Sequence, residues 1–87
     1  MTIEKIKQEL VSAIEPLWKK EANTLYEIRV VLPQFDNSVN LFFEWHKLGR
    51  ATTSRAINTY SSEEVDAVLE AVQLIKIEKG ITVSINR

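Results

Sequence analysis

Residues 61–80, SSEEVDAVLEAVQLIKIEKG, form the most fully specified stretch of the chain. Ser61 and Glu64 stand at the spacing of a capping box, and Tyr60 and Val65 flank them where a hydrophobic staple belongs. Glu63, Glu64 and Asp66 fill the first turn, where the helix dipole favours negative charge. Val65, Val68, Leu69, Ala71, Val72 and Ile75 make a broad apolar face, Lys76 and Lys79 occupy the last turn, and Gly80 is a ready C-cap. A helix of this kind must lay its apolar face on something, and the flanking segments say on what.

Downstream, ITVSINR (81–87) reads as a short strand with Ile81, Val83 and Ile85 inward. Upstream, LYEIRVVL (25–32) predicts a strand with Tyr26, Ile28, Val30 and Leu32 inward. The turn-forming PQFDNS (33–38) leads into VNLFFEWHK (39–47), where Val39, Leu41, Phe43 and Trp45 face one way and Asn40, Phe42, Glu44 and His46 the other. Gly49 marks a tight hairpin, and RATTSRAIN (50–58) returns as a third strand. Pairing His46 with Ala51 sets Glu44 opposite Thr53 and Phe42 opposite Arg55.

At the other end of the chain, residues 2–22 predict an amphipathic helix capped by Thr2, with Ile3, Ile6, Leu10, Ile14 and Leu17 on one face. Pro16 either kinks this helix or opens a second short one, and Trp18 folds onto the core from that corner. The order α-β-β-β-α-β implies an α+β fold: an antiparallel sheet with two helices packed on one face, one domain over 1–87.

Eighty-seven residues bound the chain to one modest core. The 45% apolar and 26% charged content is that of a folded globular protein. With no cysteine there is no disulfide, thiolate nucleophile or thiolate-bound metal, which points to a reducing, cytoplasmic setting. MTIEKIKQEL (1–10) carries Glu4, Lys5, Lys7 and Glu9 and reads neither as a signal peptide nor as a membrane span.

The residues for catalysis are sparse. His46 is the sole histidine, and no G-x-S-x-G motif supplies a serine nucleophile for it. Glu44 and His46 share a strand face, but two ligands are too few for a structural metal site. Two isolated glycines cannot build a phosphate-binding loop. The expectation is no enzyme, no metal and no cofactor.

Over most of its length the α-β-β-β-α order resembles the topology of double-stranded RNA-binding domains. That family sets lysines at the start of its last helix to hold phosphate. The matching positions here are Ser62, Glu63, Glu64 and Asp66, which repel a phosphate backbone. The net charge is −1, yet 44–60 holds Lys47, Arg50 and Arg55 against Glu44 alone. These three basic residues around the hairpin define an alternative reading as a nucleic-acid-binding accessory protein.

The sheet face opposite the helices gives the leading reading. It carries Leu25, Glu27, Arg29 and Val31 from the first strand, and Phe42, Glu44, His46, Thr53, Arg55 and Ile57 from the hairpin. Apolar side chains among paired charges on an uncovered face are the composition of an interaction surface. The expected function is a small non-enzymatic protein-interaction module: a homodimer, or an inhibitor, immunity or adaptor-type protein gripping a partner through Leu25, Arg29, Val31, Phe42, Glu44, His46, Arg55 and Ile57. The partner is a protein or a second copy, with nucleic acid secondary and no membrane.

The capping residue yields a first prediction. Ser61→Ala removes the acceptor for the first free helix amide and lowers stability by about 1 kcal/mol, read as a shift in the urea unfolding midpoint.

Overall fold

The computed structural model describes residues 2–33 and 37–86. Helix α1 (Ile3–Ile14) is followed by strands β1 (Thr24–Val31), β2 (Ser38–Lys47) and β3 (Thr53–Ser61). A single 3-10 turn, Ser62–Glu64, then leads into helix α2 (Val65–Lys79), and strand β4 (Thr82–Asn86) completes the order α-β-β-β-α-β. The fold is α+β. The turn read at 33–38 falls largely on 34–36, outside the described residues.

The four strands lie in the order β3-β2-β1-β4. β1 pairs antiparallel with β2, and β2 with β3, but β4 runs parallel to β1. The sheet is therefore mixed, not antiparallel throughout as the sequence suggested. The reason is directional. β1, β2 and β3 alternate in direction, and α2 then carries the chain back along the sheet. The next strand must run the same way as β1 and β3, so it is parallel to whichever edge it joins.

α1 begins where Thr2 accepts a hydrogen bond from the Lys5 N–H at 3.2 Å. It stops at Ile14, well short of residue 22. Pro16 neither kinks it nor opens a second helix. The backbone instead turns, with the Leu17 and Trp18 N–H groups both donating to the Ile14 carbonyl. Ser61 accepts from the Glu63 N–H at 3.2 Å, so the serine caps the 3-10 turn from which α2 grows. Gly80 closes α2 in the left-handed conformation, φ 70°, and its N–H donates to the Lys76 carbonyl. A side chain there is strained by its backbone alone.

The helices cover one face of the sheet. Ile6, Leu10 and Ile14 of α1 meet Val68, Ala71, Val72 and Ile75 of α2 over Ile28, Val30, Val39, Leu41 and Phe43. All are buried. Lys7 of α1 and Glu78 of α2 close the outside of the helix pair as an ion pair, and their hydrogen bond holds the Lys7 ammonium above its ordinary pKa. Beyond the helix ends, a row of rings continues the layer. Trp18 meets Tyr26 edge-on at 6.5 Å, Tyr26 stacks on Phe43 at 5.8 Å, and Phe43 lies 5.8 Å from Trp45. Such pairs add about 0.5–1.5 kcal/mol each beyond the area they bury. The Lys20 ammonium sits 4.7 Å above the Trp18 ring.

Tyr60 ties the β3 edge to α1. Its ring is buried, its hydroxyl donates to Glu9 at 2.8 Å, and Asn58 donates to that hydroxyl at 2.9 Å. Burial first, and the Glu9 hydrogen bond second, hold the phenol well above its ordinary pKa. The raised folded pKa means that this contribution is complete below the unfolded pKa, about 10, and is lost as pH climbs past it. The unfolding free energy falls on going from about pH 8 to about pH 11. Tyr60→Phe starts about 1 kcal/mol lower and falls less steeply. Urea titrations across that range read both effects.

Candidate protein-interaction face

Strand alternation decides which side chains reach the face that no helix covers. Along β1 and β2 the register pairs Leu25 with His46, Glu27 with Glu44, Arg29 with Phe42, and Val31 with Asn40. The intervening partners, Tyr26 with Trp45 and Ile28 with Phe43, point to the core. Six of the expected face residues, Leu25, Arg29, Val31, Phe42, Glu44 and His46, thus lie together on the outer side. Leu25 is 58% exposed, and Phe42 is half-buried among its strand neighbours.

Arg55 does not join them. β2 ends at Lys47 and β3 starts at Thr53, so the hairpin loop is longer than a tight turn. The Arg50 N–H donates to the Lys47 carbonyl, with Gly49 at φ 81° between them. Trp45 pairs with Thr53, Glu44 with Ser54, Phe43 with Arg55 and Phe42 with Ala56. Relative to the expected pairing this is a slip of one residue, which exchanges the faces. Thr53 and Arg55 move to the helix side of the sheet, and Ser54 and Ala56 take the outer side.

A bulge between Ala56 and Asn58 then absorbs the extra residue, Ile57, which is half-buried and packs against the core. Ile57 therefore packs with the core layer and not as a member of the outer face. The bulge also sets Thr59 beside Asn40 on the outer side, where the Thr59 hydroxyl donates to Asn40 at 2.9 Å.

The parallel strand supplies the rest of the face. Thr82 pairs with Glu27, Ser84 with Arg29, and Asn86 with Val31. Their signal was present in the sequence, since Thr82, Ser84 and Asn86 alternate with Val83 and Ile85. Assigning them to this face required knowing that β4 lies beside β1.

Polar contacts hold the surface in order. Ser84 donates to Glu27 at 2.7 Å, and Arg29 pairs with Glu44 at 3.5 Å. The Arg29 side chain is 45% exposed, so its ion pair contributes at most a few tenths of a kcal/mol. Arg29 is also the cross-strand partner of Phe42. Between Leu25, Glu27, Glu44, His46 and Thr82 runs an open cleft of about 250 Å³.

The three basic residues of the hairpin are placed as follows. Lys47 pairs with Glu21 at 3.0 Å, Arg50 sits in the exposed loop, and Arg55 lies across the sheet from the outer face. Among the described residues no group of three or more His, Cys, Asp or Glu side chains stands close enough to share a metal ion, and no helix is long and apolar enough to cross a membrane. No protein-family model, curated protein or solved structure matches the chain.

Neighbouring phenylalanines give a direct test of the two-sided sheet. Phe43→Ala costs about 3–5 kcal/mol, because it opens the centre of the core. Phe42→Asp costs less than about 1.5 kcal/mol, because its side chain already borders water. Urea unfolding of both variants reads the contrast.

Proposed function

We propose that the chain is a non-enzymatic protein-interaction module whose outer sheet face grips a protein partner. The observation that supports it most is the arrangement around Phe42. An aromatic ring lies on a face that both helices leave open, next to Arg29, with the exposed Leu25 on the same strand as Arg29. Buried at an interface, an aromatic and an arginine in this setting are the side chains that carry most binding energy. The flanking Glu27, Glu44 and His46 supply a polar rim.

The face is also well prepared for binding. Its residues stand on two long strands rather than on loops, so little side-chain or backbone ordering is left to oppose association. Inhibitor, immunity and adaptor proteins all fit this description. The absence of cysteine fits a cytoplasmic setting for the encounter.

Photo-crosslinking maps the contact. A photoreactive side chain at position 25 or 42 is expected to give a discrete protein adduct in native cells, while one at Gln8 of α1 or Gln73 of α2 gives none. Arg29→Glu removes the adduct and leaves the fold intact. Equal adducts from both sides of the molecule, or none from positions 25 and 42, would overturn the reading.

A further inference from the structure

The sheet has two free edges, and they are not alike. β3 forms one, broken by the bulge at Ile57 and bearing Arg55, and both features discourage further strand pairing. β4 forms the other. Thr82–Asn86 contains no charge, no proline and no bulge, and its register with β1 is uninterrupted. Among the described residues no strand pairs with its far side.

The backbone of β4 shows which groups are left over. The Asn86 carbonyl accepts from the Leu32 N–H at 2.8 Å. In a parallel ladder the polar groups of one residue point to one side and those of the next residue to the other. Thr82, Ser84 and Asn86 are therefore directed at β1, and the N–H and C=O groups of Val83 and Ile85 at the open edge. The Ile85 side chain is also out of place. It is in register with the buried Val30 on the helix side, yet is 52% exposed.

We propose that the free edge of β4 pairs antiparallel with the same edge of a second copy of this chain, about a two-fold axis passing beside Ser84. With Ser84 opposite the partner's Ser84, Val83 faces the partner's Ile85 and Ile85 faces the partner's Val83. Both outward-directed residues of each strand then exchange N–H···O bonds. Shifting the register by one pairing step leaves one of them opposite a residue beyond β4.

The same alignment covers the exposed Ile85 with the partner's Val83 on the helix side. An edge without charge meets itself without repulsion, and a two-fold contact requires this self-complementarity. The pairing uses backbone groups of the edge and does not rest on the role proposed for the outer face. It does set two outer faces side by side in one continuous sheet.

Because the chain has no cysteine, single substitutions report the register. In the proposed pairing, Ser84→Cys places two thiols in a non-hydrogen-bonded pair with Cα atoms about 4.5 Å apart, within the disulfide range of about 4.4–6.8 Å. Thr82→Cys places them roughly 14 Å apart, at about 3.4 Å per residue, out of reach.

Mild oxidation is expected to link Ser84→Cys into a species of twice the 10.0 kDa chain mass and to leave Thr82→Cys unlinked. Light scattering of the unaltered chain shows the dimer. Ile85→Pro removes an N–H at the open edge and weakens the dimer by about tenfold or more, with an unchanged circular dichroism spectrum. If that variant unfolds, Ile85→Lys replaces it, since a lysine blocks an edge without altering the backbone.

Three results overturn the proposal: a monomer at every concentration, a dimer indifferent to both Ile85 variants, or Thr82→Cys linking as readily as Ser84→Cys. A dimer lost with Phe42→Asp but not with the Ile85 variants would move the contact to the outer face.

Discussion

Phe42 and Phe43 are consecutive residues on opposite sides of one sheet, and the rest of the structure follows from that opposition. β2 is hydrogen-bonded on both sides, to β1 and to β3, so it can neither slide nor roll without breaking two ladders. Its period of two sends Val39, Leu41 and Phe43 to the helices and Asn40, Phe42, Glu44 and His46 to the open side. Burial of a ring the size of Phe43 is favourable by roughly 1.5–3 kcal/mol, and each neighbouring aliphatic adds a similar amount. The core thereby chooses the strand's orientation, and the outer face inherits whatever the alternate positions carry.

The elements visible in the sequence were those whose apolar period is uninterrupted. β1, β2 and α2 each show such a period with punctuation at the ends. The sequence predicts a longer α1 than the fold contains because Leu17 and Trp18 continue the apolar spacing past Pro16. In the folded chain they serve the core from a turn instead, with Trp18 reaching Tyr26. The parallel placement of β4 is hidden in the sequence for a different reason. No local residue pattern in ITVSINR distinguishes a parallel neighbour from an antiparallel one. The distinction comes from the length of α2, which returns the chain to the end of the sheet where β1 begins.

The outer face divides along the same line. Leu25, Arg29, Val31, Phe42, Glu44 and His46 depend only on the phase of β1 and β2, which the sequence displays plainly. Arg55 and Thr53 depend on the hairpin register, where a single extra loop residue reverses the assignment. Ile57 depends on a bulge, which has no signature in RATTSRAIN. Glu27 finds its partner in Ser84, a contact that exists only because β4 arrives from far along the chain.

That long reach has a kinetic meaning. β1, β2 and β3 join through connections of a few residues, whereas β4 meets β1 across more than half the chain, after α2 has crossed the sheet. Among the strand pairings the loop closed by this contact is the longest, and its entropy must be overcome before the ladder returns any stabilisation. On this ground β4 is expected to be the last strand to dock and the first to come away. During each such excursion the outer edge of β1 is bared, and the lifetime of the open state is set by how quickly α2 brings the strand back.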